Sequence, residues 1–180
     1  MDNLTEQVVK VKKTAKYYIN IVLIILAAVG IPAGLIVLAE IIQRAYLIYI
    51  AFFLILIFAY LAWLFITSLN IEYEYALLGS TMVIDKIIAK RRRKKVLKLE
   101  IKEIDDFFRY SDAEMGSRKF AKVYEAAGEK YSDNNYVACF YSQAKGKCAL
   151  IFSPNEKTLQ AMKPFFKPEI ALKIYKEKLF

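Results

Sequence analysis

The chain has 180 residues, of which 57% are hydrophobic, and its 27 lysines and arginines against 18 aspartates and glutamates give a net charge of +9. It contains no histidine, which excludes a histidine-based catalytic triad, histidine metal ligation and a histidine proton relay. Its two cysteines, Cys139 and Cys148, are too few for a disulfide framework or a four-ligand zinc site. We expect both to be reduced thiols in the core of neighbouring strands.

Residues 1–16 form a basic N-terminal segment. Its lysines stand just before a long apolar run: Lys10, Lys12, Lys13 and Lys16. Two interpretations fit this segment equally well. It is either an amphipathic lead-in whose valines enter the membrane interface, or a short frayed tail.

Two apolar runs follow, at residues 17–39 and 45–69, and neither contains Asp, Glu, Lys or Arg. About 20 helical residues are needed to cross the hydrocarbon core of a bilayer. The sequence therefore predicts two transmembrane helices joined by a short external turn at residues 40–44. A cleaved signal peptide is the competing interpretation of the first run. Its apolar core of 23 residues is too long for that, and no small-x-small cleavage site follows it cleanly.

The positive charges set the expected orientation. One block precedes the first span, and a second block of six consecutive cations occupies residues 90–95. The positive-inside rule keeps both blocks in the cytoplasm. Because two crossings return the chain to its starting side, we expect a multi-pass protein of the cell membrane with both termini cytoplasmic.

The first span carries three small residues, Ala27, Gly30 and Gly34, and a proline, Pro32, between the two glycines. Small residues at this spacing let helix backbones approach closely in lipid. Three interpretations remain open: packing against the second helix of the same hairpin, homo-oligomerisation through the transmembrane helices, and a hinge at the proline.

From residue 70 the pattern changes to that of a cytoplasmic domain, residues 70–180. Alternating and apolar segments predict antiparallel strands at 71–75, 81–89, 96–101, 104–110, 136–142 and 148–152. Residues 111–135 are loop-rich, with a short helix expected around 118–127. Ser153, Pro154 and Glu156 have the spacing of a helix start with Ser153 as the cap, so a helix closes the domain.

This order of elements resembles bacterial pleckstrin-homology-like (PH-like) domains. The resemblance rests on the segments Ile71-Glu72-Tyr73-Glu74-Tyr75, Met82-Val83-Ile84-Asp85-Lys86, Lys94-Lys95-Val96-Leu97 and Phe152-Ser153-Pro154-Asn155-Glu156. The whole chain also resembles a family of two-helix membrane proteins of low-GC Gram-positive bacteria. The resemblance implies an α+β fold: a membrane helical hairpin, then an antiparallel barrel or sandwich of about six or seven strands closed by a C-terminal helix. It implies no catalytic residues.

The strongest chemical signal is the run Lys90, Arg91, Arg92, Arg93, Lys94 and Lys95. It is a topology determinant, a contact for anionic lipid headgroups, or a contact for a protein. Nucleic acid is not expected, because no stacking platform accompanies the run. An acidic strip, Glu100, Glu103, Asp105 and Asp106, is interpreted as a solvated turn. The strand-periodic aromatic residues are interpreted as core.

We therefore expect a non-enzymatic, membrane-anchored interaction module, without cofactor or metal, that binds a protein partner at the cytoplasmic membrane surface. Two alternatives remain. One is an anionic-lipid surface sensor that uses residues 90–95. The other is an accessory subunit of a membrane transport or secretion complex, which would meet that complex through the helices.

Overall fold

The structure, a computed structural model, describes residues 4–129, 132 and 134–177. It divides the chain into two compact units. One unit joins the residues up to Lys12 with those from Ile71 onwards, and the other is Lys13–Asn70. The two apolar helices are therefore inserted within the sequence of the folded domain.

The inserted unit consists of helix α1, Ala15–Ile42, and helix α2, Tyr46–Ser68. Each is long and apolar enough to cross a membrane. Within the most apolar 18 residues, only 6% of α1 and 11% of α2 is buried, whereas a helix from the core of a soluble protein would be mostly buried. This exposure favours lipid as the surroundings of the two helices.

The N-terminal segment is neither an amphipathic lead-in nor a frayed tail. Residues Leu4–Lys10 form strand β1, which pairs antiparallel with β2, Ile71–Leu78. The ladder runs from Leu4 opposite Leu78 to Lys10 opposite Glu72, and the Val11 amide continues it by donating to the Ile71 carbonyl. Both expectations for this segment missed the strand because its partner lies beyond both apolar runs.

The domain is built from two four-stranded sheets. The first has the order β1-β2-β3-β4, in which β3 is Thr81–Ile88 and β4 is Arg92–Glu100. The second has the order β5-β7-β8-β6, with strands Ile104–Arg109, Tyr136–Ser142, Gly146–Phe152 and Lys122–Glu125. The short helices are α3, Asp112–Ser117, α4, Glu156–Met162, and α5, Pro168–Lys176.

The expected α+β, PH-like succession of strands and closing helix is present, but the sheets are not closed into a barrel. Among the described residues no ladder joins β4 to β5, because a 3₁₀ turn at Ile101–Glu103 separates them and starts the second sheet. The described residues form eight strands in place of the expected six or seven, since β1 and β6 were not expected. The fold is an open sandwich with α4 and α5 packed at its core.

The segment 111–135 also differs from expectation. Its short helix is α3, which precedes the predicted 118–127, and part of that predicted range is strand β6. β6 pairs parallel with β8. The segment between β5 and β6 crosses the face of the second sheet that carries Phe108 and Tyr110. β6 therefore reaches the opposite edge of the sheet and runs in the same direction as β8.

The main core lies between the sheets and the C-terminal helices. Its buried side chains include Tyr75, Ile84, Phe107, Phe152, Leu159 and Ile174. A second cluster covers the opposite face of the second sheet, because neighbouring strand residues point to opposite faces. It contains Phe108, Tyr110, Val137, Cys139, Ala149 and Ile151. The expectation that the aromatic residues are core is confirmed, except that Tyr73 is only half-buried.

Both cysteines are buried free thiols in the neighbouring strands β7 and β8, as expected from the sequence. Burial raises the pKa of the Cys139 thiol. A thiol with a raised pKa has little thiolate at neutral pH and is a poor nucleophile. Both cysteines therefore contribute to the packing of the core.

A polar network fixes β1 to the second sheet. The Gln7 amide nitrogen donates to the Ser153 carbonyl at 2.9 Å. The Gln7 amide oxygen accepts from the Asn155 amide at 2.9 Å and from the Thr158 hydroxyl at 2.8 Å. Asn155, and not Ser153 as expected, is the cap of α4, because its side chain accepts from the Thr158 amide.

Tyr75 of β2 extends this network into the core. Its hydroxyl donates to the Ala126 carbonyl at 2.5 Å and accepts from the Ser153 amide at 3.1 Å. Burial raises the pKa of Tyr75, so the hydroxyl keeps its proton. Gly128 completes the junction: a Cβ added there would lie 2.6 Å from Val9 Cγ1. The loop after β6 therefore packs directly on β1.

We predict that residues 1–12 joined to Ile71 through a short Asn-Gly turn fold as a soluble, cooperative domain. The register already brings Val11 beside Ile71, so a tight turn replaces the helices without moving either strand. The matched control is the fragment 70–180, which lacks β1 and therefore leaves Tyr75 and Ser153 without the Gln7 side of the network. Urea denaturation followed by circular dichroism should show a lower midpoint for the fragment. Equal midpoints would mean that β1 adds nothing to the domain.

Candidate functional site

The basic run lies at the connection between β3 and β4. Ala89, Lys90 and Arg91 form the turn, while the other four cations begin strand β4. The Arg91 amide donates to the Ile88 carbonyl at 3.1 Å and closes the turn. We call residues 88–95 the basic hairpin. The expected loop of six cations is therefore a short turn followed by a cationic strand end.

The turn has an unusual backbone for its sequence. Ala89 and Lys90 have φ values of 55° and 56°, the pair of left-handed conformations that defines a type I′ turn. Asn and Gly are the usual residues there, because a Cβ disfavours that region. The basic hairpin therefore carries backbone strain at its tip.

The cations are only partly compensated. All six are exposed. Arg93 forms an ion pair with Glu74 at 2.8 Å, but the described part of the chain shows no ion pair for Lys90, Arg92, Lys94 or Lys95. Lys94 even stands directly opposite another cation, Lys86, in the ladder between β3 and β4. Like charges in opposite positions destabilise a sheet, so an anion bound here would offset that repulsion.

The sheet register fixes where the basic hairpin points. Arg92 pairs with Ile88, and Ile88 pairs with Ile71. Neighbouring strands lie about 4.8 Å apart, so Arg92 is about 10 Å from Ile71 across the sheet. At the opposite edge of the first sheet, Lys10 of β1 pairs with Glu72, the residue that follows Ile71 in β2. The basic hairpin and both connections to the apolar helices therefore lie at one end of the first sheet.

The other predicted site residues do not join this site. Ala27, Gly30 and Gly34 are exposed on α1, and a Cβ added to either glycine would meet nothing within 4 Å. The buried residues of the two helices are instead Pro32, Ala39 and Ala51. The glycines are therefore not the packing surface of the hairpin, and oligomerisation through them stays a prediction.

The acidic strip is not a merely solvated turn. Glu100 accepts hydrogen bonds from the Thr81 and Ser80 hydroxyls, which lower the pKa of its carboxyl. Asp105 forms an ion pair with Lys167 at 2.8 Å. Glu103 remains exposed. The expectation holds for Glu103 but is wrong for Glu100, Asp105 and Asp106, because their partners lie in other elements of the fold.

Asp106 is the best-connected member of the strip. It binds Arg118, from the segment that covers the second sheet, and Lys173 of α5 at 2.7 Å. Burial alone would raise the pKa of this carboxyl, but the hydrogen bonds and charges of Lys173 and Arg118 outweigh burial and lower it. The carboxylate thus fastens two peripheral segments to β5. Among the described residues no group of three or more His, Cys, Asp or Glu side chains is placed to hold a metal ion.

One basic cluster escaped the sequence analysis. Lys122 on β6 is far in sequence from Lys145, which lies in the turn before β8, but the parallel pairing of β6 with β8 brings them together. The signal in the sequence was the pair of lysines that flank Gly146. Nothing in the sequence showed that Lys122 would be their neighbour.

The comparison with known families agrees with this architecture. A family model described as "Bacterial PH-like domain" matches residues 1–172. The match includes β1, both apolar helices and most of α5, so the inserted helices belong to the pattern of the family. No curated protein and no solved structure matches the chain.

We predict that Ala89→Gly raises the free energy of unfolding by up to about 1 kcal/mol, because glycine removes the steric cost of the left-handed backbone. The matched control is Gly79→Ala at φ 57°, where an added Cβ meets nothing within 4 Å. That change should lower stability by a similar amount. Melting of the full chain with a thiol-reactive dye reports both, since Cys139 and Cys148 are buried. A lowered melting temperature for Ala89→Gly contradicts the argument.

We predict that Asp106→Asn lowers the free energy of unfolding by about 2 kcal/mol at neutral pH, since it breaks hydrogen bonds between charged groups. The folded-state pKa of Asp106 is depressed. Its contribution is therefore complete above the unfolded pKa of about 3.9 and is lost as pH falls through the folded pKa. Urea denaturation should accordingly show the two proteins converging in acid.

The control for this change is Asp105→Asn. Asp105 pairs with Lys167, and their side chains are 56% and 41% exposed, respectively. An exposed ion pair contributes little, because water and salt screen it. If both substitutions lower the free energy of unfolding equally, the position of Asp106 between two cations adds no more stability than an exposed ion pair does.

Proposed function

The chain belongs to the bacterial PH-like domain family, and from this premise we propose that it is a non-catalytic binding module anchored in the cell membrane. α1 and α2 form the anchor. The domain formed by β1 and residues 71–177 is the binding unit, and it faces the cytoplasm. The proposal requires no cofactor and no metal.

The pairing of β1 with β2 supports this topology. β1 directly precedes α1, and β2 directly follows α2, yet their backbones are joined by a continuous ladder. Two strands that pair with each other cannot lie on opposite sides of a bilayer, so β1 and β2 must be in the same compartment. Two crossings satisfy this requirement, and the positive-inside rule then favours the cytoplasmic side for Lys10, Lys12 and the basic hairpin.

Of the binding roles that the sequence leaves open, we propose contact with anionic lipid headgroups through the basic hairpin. The observation that carries this proposal is the register, which sets the hairpin at the sheet end where the chain enters α1 and leaves α2. Only Leu69 and Asn70 separate α2 from β2. Each cation near an anionic membrane surface contributes about 1 kcal/mol. The contact would orient the domain, since the helices already hold it at the membrane.

A protein partner, the first expectation from the sequence, remains a prediction. Its best surface is the outer edge of β4, beside which the described part of the chain places no further strand. An extended segment could add there by strand pairing. Association with a larger membrane complex through the helices also remains a prediction, and the exposed Gly30 and Gly34 are the surface to test.

We predict that reporters fused before residue 1 and after residue 180 both read cytoplasmic, and that a reporter inserted at Gln43, between the helices, reads external. The reason is the shared sheet of β1 and β2 together with the two basic blocks. Reporter activity in intact cells measures this directly. Termini found on opposite sides of the membrane are incompatible with the β1–β2 ladder, and two external termini contradict the orientation.

We predict that the soluble domain in which an Asn-Gly turn replaces the helices co-floats with vesicles containing phosphatidylglycerol and not with phosphatidylcholine alone. Changing Lys90, Arg91 and Arg92 to Ser should reduce binding about tenfold or more. Arg93 is left in place, because Glu74 depends on it. Raised salt should weaken binding, since screening acts on exposed charges.

The matched control changes three other exposed lysines, Lys102, Lys157 and Lys163, to Ser. It removes the same charge from other parts of the domain. If this control weakens vesicle binding as much as the hairpin variant does, net charge and not the hairpin accounts for the binding.

A further inference from the structure

A second cationic site lies on the other sheet, at the end of β6 and the turn before β8. We call Lys122, Tyr124 and Lys145 the Tyr124 cluster. The Lys122 ammonium lies 4.8 Å and the Lys145 ammonium 5.4 Å from the centroid of the Tyr124 ring. Two like charges thus converge on one aromatic side chain.

The Tyr124 hydroxyl adds a directional donor to this pair of charges. The Lys145 ammonium donates to the hydroxyl oxygen at 2.9 Å, which leaves the hydroxyl proton available for another acceptor. This hydrogen bond also raises the pKa of Lys145, so the ammonium is charged at neutral pH. The cluster therefore presents two ammonium groups and one O–H.

No carboxylate neutralises the cluster among the ion pairs of the described residues. Glu125, the acidic neighbour in sequence, is one position along β6 and therefore on the opposite face of the strand. Lys147 precedes Cys148 in β8 and so lies on the opposite face of the sheet, where its ammonium is 6.0 Å from the centroid of the Phe120 ring. Cation–π contact offsets only part of the repulsion between ammonium groups. A bound oxyanion would offset more, because it accepts charge-assisted hydrogen bonds from all three donors.

The backbone holds the cluster in place from two directions. β6 is paired with β8 from Lys122 opposite Cys148 onwards, and the Ala121 amide donates to the Lys147 carbonyl at 2.8 Å. The Tyr124 ring stacks on Phe140, with centroids 6.2 Å apart. The turn before β8 is closed by the Lys145 amide, which donates to the Ser142 carbonyl at 3.1 Å. All three side chains thus stand on strand or turn positions with hydrogen-bonded backbones.

We propose that the Tyr124 cluster binds a phosphate group. The group comes from a phosphate-bearing solute or from a lipid headgroup, which share this chemistry. The site is independent of the basic hairpin, because it belongs to the other sheet. Its strand residues pair with Cys148 and Leu150 of β8, about 10 to 17 Å along the strand from Ser153, and Ser153 is the residue that meets β1.

The test uses the full chain in an uncharged detergent, near physiological salt, with inorganic pyrophosphate as the probe and titration calorimetry as the measurement. Lys122→Gln with Lys145→Gln should weaken binding about tenfold or more, and Tyr124→Phe should weaken it several-fold, since it removes one donor. The matched control, Lys102→Gln with Lys157→Gln, should stay within about twofold. Melting with a thiol-reactive dye verifies that each variant is folded.

A second arm replaces pyrophosphate with mixed micelles of phosphatidylglycerol or phosphatidylcholine. Binding of pyrophosphate that depends on Lys122 and Lys145 identifies a solute phosphate. Dependence seen only with phosphatidylglycerol identifies a lipid headgroup, and either result supports the proposal. No binding in both arms, or equal losses in the control pair, overturns it.

The hairpin variant separates this proposal from the lipid contact of the first sheet. Changing Lys90, Arg91 and Arg92 to Ser should leave pyrophosphate binding unchanged. If that variant abolishes binding and the Tyr124 cluster variants do not, the anion belongs to the basic hairpin and the second site is refuted. The vesicle experiment on the hairpin can fail without affecting this result.

Discussion

The ladder between β1 and β2 is the constraint on which the rest of the molecule depends. It closes the domain across an insertion that contains both apolar helices, so the two ends of that insertion must stay side by side. Closing a long loop costs entropy that rises only slowly with its length. The network of Gln7, Tyr75 and Ser153 provides buried and partly buried hydrogen bonds that oppose this cost. The segment that contains both apolar helices is in effect a very long connection of a β-hairpin.

The same ladder determines where the charged surface lies. β3 and β4 extend the register of β1 and β2, so their connecting turn must fall at the end of the sheet that leads into the helices. The position of the basic hairpin follows from strand pairing and needs no contact between the helices and the domain. The strain at Ala89 and Lys90 is consistent with a turn in which charge at the tip takes precedence over the Asn-Gly sequence that fits it best.

The sequence was most informative where one local pattern decides the structure. Uncharged runs predicted the two helices, alternation predicted β2, and apolar segments bounded by turns predicted β3, β7 and β8. It failed where the partner is remote. β1 could not be recognised from its own residues, because the groups that hold Gln7 lie far along the chain. Asp106 was interpreted as solvated because its partners, Arg118 and Lys173, come from other elements. The cap of α4 was misassigned because the Ser153 hydroxyl is bonded to Gly128 and Asn135, and the Asn155 side chain accepts from the Thr158 amide instead.

The distribution of charge along β4 argues for a binding role of the basic hairpin beyond protection of a sheet edge. Edge strands commonly carry a lysine that discourages pairing with another chain. Such protection is most effective where the edge is long and flat, and a single charge in mid-strand often suffices. In β4 four cations are instead crowded into Arg92–Lys95, and Lys98 is the single cation in the rest of the strand. Crowding raises repulsion, as Lys94 opposite Lys86 shows, and a bound anionic surface would offset that cost at the end of the sheet where the membrane is expected.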